Sequence, residues 1–175
     1  MWVRDSPVGE RVPGCGSFFT GEYRLDFTLH SYPKPVIVWG SGIVMGGGMG
    51  LMCGAAHRLV TETSRLAMPE ITIGLYPDVG GSWFLNRMPN GPGLFLGLTG
   101  AQINATDAIT TGLADRMVGA SERDALINAL ASAPLATDAE ECIRNVLRDF
   151  EDRAAGQRPG SQIAPHLEQI RTLTD

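Results

Sequence analysis

From Val36 to Ala56 the chain carries no charged residue, yet seven glycines interrupt it. That combination limits what the stretch can become. A charge-free run of this length could cross a bilayer, but each glycine in a helix interior gives up backbone entropy for no side-chain contact. The stretch is therefore expected to divide. Val36-Ile37-Val38-Trp39, β-branched and bounded by Pro35 and Gly40, has the pattern of a buried strand. Met49 to Ala56 has the composition of a short helix packed on all sides. Gly46-Gly47-Gly48 lies between them. Glycines at such a junction let a ligand approach the main chain. The first N–H groups of the helix point outward there, with the positive end of its dipole behind them. The place suits negative charge, bound or developing during a reaction.

Composition removes several function classes. The 175 residues suffice for one domain with a real core. A net charge of −5, with Lys and Arg scattered singly, offers no basic stripe for nucleic acid. Cys15, Cys53 and Cys142 are far apart and without metal-ligand spacing, so they are read as reduced thiols, with no metal expected. The N-terminus has no apolar signal core, and a cytoplasmic location without membrane contact is expected.

Residues 1–16, rich in Pro and Gly, read as irregular. A helix is expected over Gly21–Leu29, strands over Arg58–Thr61 and Arg65–Met68, and short helices over Val79–Met88 and Gly93–Leu98. Asn104, Ser121 and Thr137 each stand three residues before an acid and are read as N-caps. Behind the last of these, Ile143, Val146, Leu147 and Phe150 share a helical face. Arg116-Met117-Val118 reads as a short strand, Arg153–Ser161 as a polar linker and Ile163–Leu173 as a final helix. Trp39, Trp83 and the methionines read as core filling, and His30, His57 and His166 as isolated.

Two familiar glycine loops fail on counting. A dinucleotide fingerprint needs glycines at i, i+2 and i+5, and no such triple begins at Gly40, Gly46 or Gly48; a P-loop needs Gly-Lys, which is absent. What remains is an ordered set: Lys34-Pro35-Val36, Met45-Gly46-Gly47-Gly48-Met49-Gly50, Met68-Pro69-Glu70-Ile71-Thr72-Ile73-Gly74-Leu75-Tyr76-Pro77-Asp78-Val79-Gly80-Gly81, and Leu98-Thr99-Gly100. This set resembles the crotonase (enoyl-CoA hydratase/isomerase) superfamily, and within it most resembles the 3-hydroxyisobutyryl-CoA hydrolases, from about Phe18 to Val118.

The resemblance implies an α/β fold, a spiral of β-β-α units covered by helices. The partial core would occupy residues 17–120 and a helical region residues 121–175. It implies an acyl-CoA substrate and no separate cofactor, coenzyme A being part of the substrate. It places an oxyanion-binding N–H at Gly47 beside Gly46, a catalytic carboxylate at Glu70, a hydroxyl-orienting carboxylate at Asp78 and a substrate contact at Glu22. Hydratases of the family carry a glutamate where this chain has Gly50 and a small residue where it has Asp78, so thioester hydrolysis, as in valine breakdown, is favoured over hydration. Glu70 would attack the carbonyl or activate water, and the residues leave both routes open.

Blander readings compete: a tight helix–strand contact at the triplet, an exposed turn acid at Glu70, an N-cap at Asp78. Relatives also carry an N-terminal Ala-Gly-Gly-Asp-like loop, the second oxyanion donor, for which residues 1–16 offer no match. The chain is accordingly expected to be the middle and later part of a longer enzyme. Hydrolysis by it alone should be impaired roughly a hundredfold or more, and strand Val36–Trp39 should have a bare edge that invites self-association.

Overall fold

The computed structural model describes residues 15–89, 91–136 and 138–174. Strands β1 (Ile37–Gly40), β3 (His57–Val60) and β5 (Arg116–Met117) form a parallel sheet in the order β1-β3-β5, while β2 (Ile43–Met45) and β4 (Arg65–Ala67) pair in parallel as a second sheet. Consecutive strands are thus split between sheets. The chain steps from β1 to β2 through Ser41-Gly42, with Gly42 at φ 65°. It steps from β3 to β4 through residues 61–64, where the Thr61 N–H donates to Ser64 Oγ at 2.7 Å and that hydroxyl donates to the Gly40 carbonyl at 2.6 Å. Helix α2 (Gly47–Cys53) follows β2 and returns the chain to β3. Repetition of strand, strand and helix gives the expected α/β spiral.

Helix α1 (Cys15–His30) precedes the sheets and packs on α2. It begins well before Gly21, running through Gly16 and Gly21, both of which face open space. Cys15 and Gly16 therefore belong to a helix, not to an irregular segment; residues 1–14 lie outside the described residues. After β4 come a 3-10 turn (Glu70–Ile73), α3 (Gly81–Leu85), α4 (Pro92–Thr99) and α5 (Ala105–Thr110). Strand β2 is unexpected: three residues between glycines, Ile43 74% exposed, leave no periodic signal. Among the described residues, β1 has no strand on its outer edge.

The C-terminal part is held by satisfied polar groups. Helices α6 (Arg123–Ser132), α7 (Ala139–Ala154) and α8 (Leu167–Thr174) follow β5. Ile143, Leu147 and Phe150 of α7 bury against Leu59 and Val118. Ile163 and Ile170 join the main core of Met49, Leu66, Met68 and Met117. Asn104 caps α5, accepting from the Asp107 N–H at 3.1 Å. Asp107 does not complete a capping box; only 1% exposed, it accepts from Ser161 Oγ and from the Gln162 and Ile163 N–H groups, pinning the chain ahead of α8. Ser121 is not a cap, since a 3-10 turn (Ala120–Glu122) runs directly into α6 and gives the cap position to Glu122. Asp138 caps α7 through the Glu141 N–H at 2.9 Å; the expected cap Thr137 lies outside the described residues. Trp83 is 51% exposed and stands under the Arg87 guanidinium, 4.3 Å from its ring centroid, rather than in the core. No described helix is long and apolar enough to cross a membrane.

Candidate active site

The three consecutive glycines are not equivalent. Gly46 adopts φ 53°, ψ −121°, a region that a side chain makes costly. Its N–H donates to the Ala67 carbonyl at 3.3 Å and its carbonyl accepts from the Met49 N–H at 2.8 Å, so it joins strand β4 to the start of α2. A Cβ on Gly46 would stand 3.1 Å from Glu70 Oε1, and one on Gly47 would collide with the Glu22 carboxylate. Gly48 faces only Val44 Cγ1 at an ordinary 3.8 Å. Two of the three therefore make room for carboxylates, which a mere helix–strand contact does not require.

Glu70 opens the 3-10 turn directly after β4 and Pro69. It is no exposed turn acid: it is 7% exposed, and its Oε2 has no hydrogen-bond partner among the described residues. Burial raises its pKa above the ordinary carboxylate value, the charge of Asp78 adds to the rise, and its own backbone N–H opposes it. A carboxylate held this way is a stronger base and is short of hydrogen bonds.

Helix α1 lies on α2 through glycine. Glu22 sits over Gly47; one turn later Asp26 sits over Gly50, where a Cβ would come within 3.2 Å of Asp26 Oδ2 and 2.6 Å of Val79 Cβ. A Cβ on Gly54 would meet the Asp26 carbonyl at 3.6 Å. Neither carboxylate oxygen of Asp26 has a partner among the described residues. Burial raises the pKa values of Glu22 and Asp26, followed in both by the charge of Asp78.

Asp78 does not cap α3, whose cap position is Gly80. Its Oδ2 instead accepts the Tyr23 phenol hydroxyl at 3.2 Å. Val79 follows at φ 43°, in the left-handed region that a β-branched residue rarely enters. Tyr23, Asp26, Phe27, Asp78, Val79 and Trp83 line a cavity of about 540 Å³ between α1, α2 and residues 76–84. Cys53 borders it as a free thiol that burial pushes up to about 12, too high to act as a nucleophile at neutral pH.

Glu22, Gly46, Gly47 and Glu70 thus meet at the start of α2. Asp78, near enough for its charge to raise the pKa values of Glu22 and Glu70, lines the neighbouring cavity, whose walls do not include those four residues. Tyr23 and Asp26 were not marked by any motif. The available signal was the four-residue step from Glu22 to Asp26 on one helical face. His57 lies apart, its Nε2 3.3 Å from Glu140 Oε2. Among the described residues no group of His, Cys, Asp and Glu has the arrangement of a metal site.

The profile of the family described as enoyl-CoA hydratase/isomerase matches residues 5–175. The chain is 36% identical over 167 residues to the mitochondrial 3-hydroxyisobutyryl-CoA hydrolase of Xenopus tropicalis, a match that covers 95% of this chain and 42% of that protein. It is 41% identical over 122 residues to small ribosomal subunit protein mS47 of Neurospora crassa, covering 70% of this chain and 24% of that one. Its fold superposes on an enoyl-CoA hydratase from Rhodobacter sphaeroides with a TM-score of 0.70 at 36% identity, covering 90% of this chain and 42% of that structure. The chain therefore spans less than half the length of each.

Proposed function

Because the chain belongs to the enoyl-CoA hydratase/isomerase family, we propose that it carries the carboxylates of an acyl-CoA thioester hydrolase acting on 3-hydroxyisobutyryl-CoA. The observation that carries this reading is Glu70: a buried carboxylate, one oxygen unpartnered, set against the glycine turn that begins α2. In the reaction water adds its oxygen to the thioester carbonyl, the carbon–sulfur bond breaks, and the acid and the coenzyme A thiol leave. The Gly47 N–H would stabilise the charge that develops on the carbonyl oxygen, an effect worth about 3 kcal/mol per donor. Glu70 would attack the carbonyl or take a proton from water, and Asp78 would accept the substrate's 3-hydroxyl. The relative from Xenopus tropicalis, a hydrolase of this name, supports the choice of substrate.

Hydration is disfavoured on steric grounds. The carboxylate that the hydratases carry would have to stand at position 50, and the first carbon of any side chain there meets Val79 Cβ at 2.6 Å. A second reading, a non-catalytic module that serves association, draws on the ribosomal relative and on the bare edge of β1. Thiol release from 3-hydroxyisobutyryl-CoA decides between them. Turnover that Glu70→Gln abolishes supports the hydrolase; turnover that this substitution leaves unchanged, or none at all, rejects it.

A further inference from the structure

We infer that Tyr23 is the positioning residue that aims Asp78, so that the hydroxyl contact assigned to Asp78 above depends on the Tyr23 phenol. The inference rests on the hydrolase reading above and concerns the cavity beside Glu70 that Asp78 lines. Among the described residues, the Tyr23 hydroxyl is the one hydrogen-bond donor to the Asp78 carboxylate, and it engages Oδ2 alone. A carboxylate has lone pairs for several donors, so Oδ1 is left to accept from a ligand.

The two flanks of Asp78 are fixed differently. On the main-chain side Val79 holds φ 43°, and its Cβ occupies the space over Gly50 where a side chain would stand. That contact secures the backbone but not the rotation of the carboxylate. Among the described residues only the phenol does the latter. Tyr23 is placed to do so because it succeeds Glu22 on α1: neighbours on a helix point about 100° apart, so one helix sends Glu22 over Gly47 and Tyr23 toward Asp78. Both Tyr23 and Asp78 border the 540 Å³ cavity, whose remaining wall includes Phe27, Val79 and Trp83. Asp26 lines the cavity too, but its carboxylate oxygens are buried and no donor among the described residues aims them, so Asp78 is the acceptor that is both oriented and open to a short branched acyl chain carrying a hydroxyl. The phenol keeps its proton, since burial and the Asp78 charge both raise its pKa.

The test compares 3-hydroxyisobutyryl-CoA with isobutyryl-CoA, which lacks only the hydroxyl, on the full chain and on Tyr23→Phe, Asp78→Asn and the double variant. The expected result is a loss of roughly tenfold in kcat/KM for the hydroxylated thioester in Tyr23→Phe, with isobutyryl-CoA changed less than about twofold. Asp78→Asn should lose the same preference, and adding Tyr23→Phe to it should cost little more. An equal fall on both thioesters, an unchanged ratio, or additive losses would overturn the inference. Calorimetric titration of both thioesters reads the same ratio as affinity. Preferential binding without cleavage would reject the hydrolase reading while the affinity ratio still decides the role of Tyr23, and binding of neither would reject both.

Discussion

The acidic residues of the two halves of the molecule live under opposite conditions. In the C-terminal part the buried and half-buried ones are mostly answered: Asp115 binds Arg58 in a fork, Glu151 reaches Arg116 and Arg158, and Asp107 gathers a hydroxyl and two backbone N–H groups, although one oxygen of Glu122 is left without a partner among the described residues. Around the glycine turn Glu22, Asp26, Glu70 and Asp78 form no ion pair among the described residues, and the Tyr23 phenol is the one side chain there that donates to them. The first set stabilises the fold. The second is held against its own repulsion by packing on glycine, which is the arrangement expected where basicity is wanted.

The contrast can be broken from either side. Glu70→Gln should have the largest effect, a fall of about a thousandfold in thiol release with the melting temperature kept or raised; a large loss of stability would instead place Glu70 with the structural acids. Since only ionised Glu70 can attack or accept a proton, and its native pKa is raised, the acid limb of the pH–rate profile should lie above the ordinary carboxylate value. Asp107→Ala should cost about 3 kcal/mol in urea unfolding, because two buried N–H groups lose their acceptor. Gly50→Ala should cost about 2 kcal/mol by forcing Val79 away, and should lower turnover through the attached Asp78.

The smallest effect sharpens the comparison most. Asp26 has a native pKa raised by burial and by Asp78, so the native state holds that proton more firmly than the unfolded chain does. Stability is then greatest below the unfolded-state pKa and is lost as pH rises through the native one. Asp26→Asn should therefore raise the melting temperature slightly at pH 7 and not at all in acid, by scanning calorimetry. A drop at pH 7 would mean that Asp26 has a partner after all.

Legibility in the sequence followed the same division. Strand β1 and helix α2 were plain from uncharged runs with glycine boundaries, and α7 from its apolar face and acidic start. The pairing of Glu70 with Gly46 and Gly47 came from motif order, since no periodicity relates residues so far apart. Tyr23 and Asp26 stayed silent because their meaning depends on α1 lying on α2, a tertiary fact. Asp107 misled for a related reason: its local spacing fits a capping box, but the better donors came from residues 161–163. Trp83 was placed in the core by type alone, although half its surface faces solvent.

Helix α2 meets α1 through Gly47, Gly50 and Gly54, each lying against α1. Bare backbone cannot be trimmed further, so the spacing of the two helices is already at its floor and substitution there can only pry them apart. The opposing wall is fixed at Val79, which fills the space over Gly50, and at Gly81, where a Cβ would meet Pro77 at 2.7 Å, so a change in the shape of the cavity has to come from its exposed side chains, such as Tyr76 and Trp83.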